Sequence, residues 1–391
     1  MNTLHSDIIK LVKSALTGEK LSLSDSFDVE TAFNIAKRHS VIPMIYYGAI
    51  NCGVDSANPW MQQMFFNTCT NIAYNEKQMH EIANVLKAFD ENGIAYITLK
   101  GTILKSMYPK PEMRAMSDAD ILIKTEEHGK IAPIMLTLGY DLKVESDHEF
   151  VWRKSNVNIE LHKRLIPSYN KDYYAYYGDG WRLAKLGADG KYYMSDEDQM
   201  IYTFTHFAKH YREAGIGIRH FADLWVFRNS HPNLDEEYIK TELTALQLYE
   251  FYVNILSTLA VWFEGKTEDI KTEFIAETIL NSNLYGNSEK YSLAMAVKTS
   301  NSVGSSKAVR RRKFWQLVFL PYKPMCDKYP VLKKVPVLLP FMWIYRVFET
   351  LLFDKGKIKT HQQHLKQMTT ENISDLKQAL NFVGLDFNFK E

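Results

Sequence analysis

The hydrophobic period of the chain changes at Gly93, and this change limits the folds open to it. Before that point apolar residues recur at helical spacing, as in "QMHEIANVLKAFDENG", where Gly93 is a helix stop. Four short β-prone runs then follow, "IAYITL", "ADILIK", "FVWRK" and "VNIELHK", with the helical "EEHGKIAPIMLTLGY" between the second and third. We therefore expect an α+β protein with a small mixed sheet under helical cover.

The 391 residues exceed one ordinary core, so we expect more than one region. The change of period predicts a helical N-terminal region, a sheet-containing core and a mainly helical C-terminal region, at residues 1–92, 93–166 and 167–391. The tyrosine-rich "SYNKDYYAYYGDG" near the start of the last region is interpreted as a loop. Ser195 followed by Asp198 resembles a capping box and predicts the start of a helix through "QMIYTFTHFAKHY".

Cysteine usage indicates a protein of the reducing cytoplasm, and net charge bears on the partners it could bind. The formal net charge is +1, which gives no global reason to expect nucleic acid. Cys52, Cys69 and Cys326 are odd in number and far apart, which suits neither a disulfide framework nor paired metal knuckles. The first twenty residues lack the apolar core of a signal peptide, so the expected location is cytoplasmic.

Two C-terminal segments bear on membrane contact. The apolar window 335–353 is interrupted by Pro336, Pro340, Arg346 and Glu349, so we expect no transmembrane segment. The run from 310 to 323, "RRRKFWQLVFLPYK", combines cations with aromatic rings and is compatible with peripheral contact to an anionic membrane or nucleic acid. The alternative is a helix with a solvated basic start whose apolar residues pack inward, namely Phe314, Trp315, Val318 and Phe319.

The pair Asp118 and Asp120 in "SDADILI" is the first candidate site. Side chains two apart on a strand leave the same face, so both carboxylates point together while Ala119 and Ile121 point the other way. Carboxylates held this close repel each other unless a cation or hydrogen-bond donors compensate. Oxygen ligands favour Mg²⁺ or Mn²⁺, together with substrate phosphates. A polar strand edge is the alternative interpretation.

Two further segments extend the metal hypothesis. In "VNIELHK", Glu160 stands between apolar residues, and it completes a three-carboxylate cluster if its strand neighbours the aspartate strand. In "LKGTIL", Gly101 allows close backbone approach to a ligand, and a helix beginning there offers free N–H groups to an anion. Lys100 adds positive charge for a triphosphate. An ordinary strand-to-helix turn is the alternative for this glycine.

These motifs, in this order, resemble the uncharacterised nucleotidyltransferase family of the DNA polymerase β-like superfamily. The matching text is "LKGTILKSMYPKPEMRAMSDADILI", then "VNIELHKRL", then "HFAKHYREAGIGIRHFADLWVF", and the resemblance extends over most of the chain. It implies a small mixed-sheet nucleotidyltransferase core flanked by helical regions. It also implies transfer of an NMP group from an NTP to an acceptor, with pyrophosphate release. The acceptor is open: a protein, a small molecule or an RNA end.

The resemblance assigns roles to seven residues. It implies that Asp118, Asp120 and Glu160 are catalytic and hold two Mg²⁺ ions. It implies that the nucleotide phosphates are bound by four more residues, Lys100, Gly101, Thr102 and Arg114. The usual turn of the superfamily is Gly-Ser or Gly-Gly, so the Gly-Thr pair is a departure. Threonine keeps the hydroxyl but adds a methyl group, which changes the contact expected with the phosphate.

Other interpretations stay open at this point. A metal-dependent glycosyltransferase also uses Asp-x-Asp, and a non-catalytic nucleotide- or partner-binding module could keep the same fold. His206 and His210 share a helix face at i, i+4 spacing and are expected to form a hydrogen-bonded pair rather than a zinc site, with a role beside the active site implied by the resemblance. Arg219 and Asp223 have the spacing of a helix-surface ion pair. The resemblance implies a structural role first, as a support that docks the helical region against the nucleotide cleft, and a catalytic role second.

Overall fold

A computed structural model describes residues 2–284, 290–294, 311, 314–354, 356, 365–366 and 368–385. These residues fall into two compact units: unit 1 contains residues up to 211, 215–286 and 383 onward, and unit 2 contains 212–214 and 287–382, each where described. Helices predominate and a small mixed sheet is present, which confirms the predicted α+β class. The division into three regions at residues 92 and 166 stays a prediction.

Twelve labelled helices lie before residue 285. They are α1 (Thr3–Thr17), α2 (Val29–His39), α3 (Ile42–Asn51), α4 (Pro59–Glu91), α5 (Lys100–Met107), α6 (His128–Thr137), α7 (Lys171–Tyr177), α8 (Asp196–Glu213), α9 (Ile218–Ser230), α10 (Glu236–Ala245), α11 (Tyr249–Glu264) and α12 (Ile270–Leu280).

The long helix α4 leads into the sheet. Ile82, Val85 and Phe89 are spaced three and four residues apart and are buried, so this face of the helix is apolar. The helix ends at Glu91, and Gly93 adopts a positive φ of 65°, a conformation that glycine tolerates best. The predicted helix stop is therefore confirmed at this position.

A five-stranded sheet follows α4. Its strands are β1 (Tyr96–Thr98), β2 (Asp118–Ile123), β3 (Asp141–Glu145), β4 (Glu149–Lys154) and β5 (Val157–His162). The spatial order is β1-β2-β5-β4-β3, with β2 and β5 parallel and the other neighbours antiparallel. Two very short strands, β6 (Lys185–Leu186) and β7 (Tyr192–Tyr193), form a separate hairpin.

One face of the five-stranded sheet forms an apolar core. Ala119 and Ile121 from β2 and Ile159 and Leu161 from β5 are completely buried in it, together with residues of α4 and α6. Burial of a side chain such as Ile or Leu stabilises a fold by roughly 1.5–3 kcal/mol. Because side chains alternate along a strand, this packing directs the neighbouring polar side chains to the opposite face.

The structure corrects two sequence-based expectations in unit 1. The strand β3 was not predicted, because all five of its residues are exposed and it lies at the edge of the sheet, where no buried face imposes a pattern. The tyrosine-rich segment, expected as a loop, contains helix α7. Tyr173 and Tyr177, one helical turn apart, are buried on the same side of that helix.

Unit 2 has its own small core. Its labelled helices are α13 (Tyr322–Lys328), α14 (Val331–Lys334), α15 (Leu339–Phe353) and α16 (Thr370–Phe382). Met325, Cys326 and Leu332 are buried together, and Trp343 Nε1 donates a 2.8 Å hydrogen bond to the carbonyl of Leu320 beside them. This packing joins α13, α14 and the first turns of α15.

The basic and aromatic segment at 310–323 is only partly within the described residues, since 310, 312 and 313 are outside them. The rings of Phe314, Trp315 and Phe319 are each about half exposed, so the expectation that these rings pack inward is wrong. Trp315 and Phe319 stack on each other with ring centroids 5.3 Å apart. Contact of this segment with a membrane or nucleic acid stays a prediction.

The apolar C-terminal window also differs from expectation. Pro340 lies in the first turn of α15, where a proline is tolerated, so it does not interrupt the helix. The segment Pro336–Phe353 is long and apolar enough to cross a membrane by length and composition alone, and none of it is buried within the part of the chain that the structure describes. The absence of a transmembrane segment and the cytoplasmic location therefore stay predictions.

Candidate active site

Three carboxylates leave the polar face of the sheet. Asp118 and Asp120 alternate with the buried Ala119 and Ile121, as the sequence predicts. In the parallel pair of β2 and β5, Asp120 is the register partner of Glu160. The strand neighbourhood on which the role of Glu160 depended is therefore present, and the structure brings the three acids to one region.

Asp120 has the most contacts of the three. His162 Nε2 lies 2.8 Å from Asp120 Oδ1, and the Lys100 ammonium lies 4.0 Å from Asp120 Oδ2. Burial alone would raise the pKa of this carboxyl, but the nearby Lys100 charge and the hydrogen bond from His162 outweigh it and hold the pKa below its usual range. Asp120 is thus a carboxylate at neutral pH.

Asp118 and Glu160 are shifted in the opposite direction. Burial and then the charge of Asp120 raise the pKa of Asp118. Burial and then the charges of Asp118 and Glu149 raise the pKa of Glu160 to about 8. The protein's own cations therefore do not compensate all the negative charge of this region. Since a bound cation favours the ionised form, this donor set of carboxylate oxygens suits a hard divalent ion.

The segment predicted to bind phosphate lies beside these acids. Helix α5 begins at Lys100 directly after β1, which confirms that a helix starts at this glycine-containing turn. A β-carbon on Gly101 would lie 2.8 Å from Met116 Sδ, so a larger residue at this position would make the Met116 side chain shift. The Thr102 hydroxyl is buried without a hydrogen-bond partner among the described residues, and Thr102 is not part of the cavity wall.

Arg114 is buried and held by a specific partner. Its Nε lies 2.7 Å from Asp223 Oδ1 and its Nη2 lies 3.0 Å from Asp223 Oδ2, a bidentate pair that the sequence did not predict. Tyr108 donates a further hydrogen bond to the same carboxylate. The Arg114 guanidinium also lines the cavity in front of the acids, where the resemblance places it near phosphate.

The helix-surface ion pair expected from the Arg219 and Asp223 spacing is wrong in its location. Both side chains are buried, and Arg219 Nη1 donates a 2.8 Å hydrogen bond to the carbonyl of Ala115, just before β2. Asp223 contacts Arg114 and Arg219 contacts Ala115. Helix α9 therefore holds in place the segment that leads into β2.

Histidines are abundant around the cavity. As expected, His206 and His210 form a hydrogen-bonded pair, with their Nε2 atoms 2.7 Å apart, and the Lys100 ammonium lies 3.0 Å from His206 Nδ1. Burial, followed by the nearby cations, lowers the pKa of both rings and keeps them neutral. Four further residues that line the cavity were not predicted from the sequence, namely His148, Glu149, Lys209 and His220.

These groups surround a cavity of about 370 Å³ that opens to solvent. The lining includes the three acids together with four cationic residues, Lys100, Lys209, Arg114 and Arg219. The volume is in the range of small-molecule sites, and the mixture of charges suits an anionic ligand that carries a cation with it.

A small mixed sheet with clustered carboxylates beside a helix start has the features of a nucleotidyltransferase. The sequence profile of the "Uncharacterised nucleotidyltransferase" family matches residues 25–264, which is more than half of the chain. The chain therefore belongs to the uncharacterised nucleotidyltransferase family, as its motifs indicated.

Other comparisons are weaker. No curated protein matches the sequence at a significant level. A solution structure of the antibiotic-resistance factor ANT(2'')-Ia is 15% identical over 46% of this chain and 95% of that chain, with a TM-score of 0.34. A crystal structure of ANT(2'')-Ia in complex with adenylyl-2''-tobramycin is 14% identical over 44% and 97%, with a TM-score of 0.32. Both TM-scores are too low to establish a shared fold.

Proposed function

We propose that this protein transfers a nucleoside monophosphate from an NTP to an acceptor hydroxyl or other nucleophile, in a reaction that requires Mg²⁺ or Mn²⁺. The bond between the acceptor oxygen and the α-phosphorus forms, the bond from that phosphorus to the bridging oxygen breaks, and pyrophosphate leaves. The observation that carries the proposal is the register of Asp120 with Glu160, with Asp118 on the same face of the sheet.

The carboxylates are the proposed metal ligands. Asp118, Asp120 and Glu160 offer only oxygen atoms, which matches the ligand preference of Mg²⁺ and Mn²⁺. When bound there, two such cations would stabilise the negative charge of the triphosphate and of the departing pyrophosphate. The raised pKa values of Asp118 and Glu160 are consistent with a set of acids that ionises fully once positive charge arrives.

The remaining residues of the cavity bind and orient the substrates in this proposal. Lys100 and Arg114 add positive charge to the cavity for the phosphates, and Gly101 lets the backbone at the start of α5 approach them. The proton of the acceptor passes to water, because burial and nearby cations lower the pKa of His206 and His210 and make both rings poor bases.

The acceptor is to be found by experiment. Purified protein is incubated with each NTP, Mg²⁺ or Mn²⁺, and a panel of protein, RNA and small hydroxyl-containing acceptors, and pyrophosphate release is measured. The test variant carries Asp118→Ala and Asp120→Ala. The control variant carries Asp141→Ala and Glu145→Ala, two exposed acids of the same sheet.

The proposal predicts pyrophosphate release by the wild type and the control. In the test variant, release should fall at least about 100-fold because two proposed metal ligands are gone. Each factor of ten corresponds to about 1.36 kcal/mol of lost transition-state stabilisation. Release that persists in the test variant would refute the role of the aspartates. Nucleotide binding without release across the whole panel would instead support the non-catalytic binding module.

A further inference from the structure

A second group of potential metal ligands lies beside the three carboxylates. His148 Nε2 is 3.1 Å from His162 Nδ1, and Glu149 Oε2 is 3.8 Å from each of these two nitrogens. These two nitrogens and one oxygen come from His148 just before β4, from Glu149 at the start of β4 and from His162 at the end of β5. The proposed function uses none of these three atoms.

The spacing of the three atoms fits a small cation. A triangle with sides of 3.1, 3.8 and 3.8 Å has a circumradius of about 2.1 Å, within the range of Zn–N and Zn–O bond lengths of about 2.0–2.2 Å. An ion at the centre of this triangle is therefore at bonding distance from all three atoms before any side chain moves. The cavity leaves room for a water or substrate ligand as well.

The hydrogen bond of His162 to Asp120 supports this arrangement. With the proton on Nε2 directed at Asp120 Oδ1, the lone pair of the ring lies on Nδ1, which is the atom that faces His148 and Glu149. A carboxylate that accepts from the second nitrogen of a histidine is the usual outer partner of a metal-binding histidine, because it fixes the tautomer and increases the basicity of the ligand.

The sheet holds the ligands in place. Glu149 is the register partner of His162 in the antiparallel pair of β4 and β5. His148, the residue before β4, accepts a 2.8 Å hydrogen bond at its carbonyl from the N–H of Lys163, the residue after β5. Sites on paired strands are held more firmly than sites on loops.

We propose that His148, Glu149 and His162 form a binding site for one first-row transition cation of the Zn²⁺ type. Two imidazole nitrogens and one carboxylate oxygen are ligands that Zn²⁺ and its neighbours accept and that Mg²⁺ does not prefer. The ion adds positive charge to the cavity, and Asp120 is the outer partner of His162. The proposal does not rest on the proposed nucleotidyl transfer.

The probe is Co²⁺, whose visible absorption reports nitrogen and oxygen ligation directly. Chelator-treated full-length protein is titrated with CoCl₂ in excess Mg²⁺, and Zn²⁺ is then added to displace the cobalt. The test variants are His148→Gln and Glu149→Gln, which keep the approximate shape of each side chain. The control is His231→Gln, since His231 Nε2 lies 3.7 Å from Asp196 Oδ1 and His231 is not part of the cavity wall.

We expect one Co²⁺ per chain in the wild type, in the control and in Asp118→Asn. The affinity for Co²⁺ should be at least tenfold lower in both test variants. Circular dichroism checks that every variant is folded like the wild type. A wild type that binds no Co²⁺ would overturn the proposal, and the two imidazoles would then be a simple hydrogen-bonded pair. Binding that is lost in Glu160→Gln but kept in Glu149→Gln would also overturn it, because the ion would then lie among Asp120, Glu160 and His162.

Discussion

Asp120 and Glu160 face each other across the parallel pair of β2 and β5, although 40 residues separate them in the chain. Between them in sequence lie α6, β3 and β4, so the pairing depends on a crossover that the whole core must support. Both strands lie in the interior of the sheet and not at its edge. The acids that they carry repel one another when no cation is present.

This repulsion predicts opposite effects on stability and activity at Asp118. Because burial and Asp120 raise the pKa of Asp118, the neutral Asp118→Asn variant should unfold without metal at the same temperature as the wild type or a higher one. Nucleotidyl transfer should fall at least about 100-fold. Thermal unfolding with and without Mg²⁺, and a transfer assay, check both parts. Asp141→Asn, on the exposed strand β3, should change neither, and a large loss of metal-free stability in Asp118→Asn would contradict the prediction.

The Arg114 and Asp223 pair should contribute much more to stability than a surface pair. Asp223→Ala leaves a buried guanidinium without its partner, and we expect the free energy of unfolding to fall by about 3–5 kcal/mol. Glu91→Ala removes the partner of Lys87 in an exposed i, i+4 pair and should cost about 0–1 kcal/mol. Urea unfolding measures both, and equal effects of the two substitutions would show that Asp223 does not anchor Arg114.

His39 should make stability depend on pH away from the active site. Ile218 N donates to its Nδ1, its Nε2 donates to the carbonyl of Leu280, and burial lowers the pKa of the ring to about 4. The unfolded chain therefore binds the extra proton first, so this contribution is complete above about pH 6.5 and is lost as the pH falls toward 4. Its size is up to about 3 kcal/mol.

The measurement is the difference in unfolding free energy between the wild type and His39→Gln, followed from pH 8 to pH 4. The wild type should lose its advantage as the pH falls. His231→Gln, at a partly buried histidine, is measured in parallel as the control. A difference for His39→Gln that stays constant with pH would show that His39 is not held neutral.

Gly101 and Met116 should be energetically coupled. The added β-carbon of Gly101→Ala would lie 2.8 Å from Met116 Sδ, and such overpacking typically costs about 1–3 kcal/mol. Met116→Ala removes the clashing atom, so the double variant should be more stable than the sum of the single effects predicts, by about 0.5–3 kcal/mol. A double-mutant cycle by urea unfolding measures this coupling energy, and strict additivity would show that the added methyl group does not press on Met116.

Features fixed by local patterns were predictable from the sequence. The alternation in "SDADILI" placed Asp118 and Asp120 on one face, and the helix stop at Gly93 and the capping residues Ser195 and Asp198 were also readable locally. Contacts between distant segments were not. The sequence could not show that the strand of Glu160 pairs with the strand of Asp120. The bidentate contact of Arg114 with Asp223 joins residues that are 109 positions apart in the chain.

Some elements were missed because the sequence did not show which of their residues are buried. The edge strand β3 has no buried face, so hydrophobic alternation could not reveal it. The tyrosines of α7 looked like loop residues, although the spacing of Tyr173 and Tyr177 was helical. His148 and Glu149 join the cavity only because β4 pairs with β5, and nothing in "SDHEF" indicates that pairing.

The most direct test of the proposed function follows the phosphorus that moves. The protein is incubated with an acceptor from the active panel and with the same NTP labelled at either the α- or the γ-phosphate. We predict that the α-label joins the acceptor, that the γ-label appears in an equal amount of pyrophosphate, and that neither occurs in the variant with Asp118→Ala and Asp120→Ala. Transfer of the γ-label to the acceptor, or α-label transfer that survives in that variant, would contradict the assignment of the three carboxylates to nucleotidyl transfer.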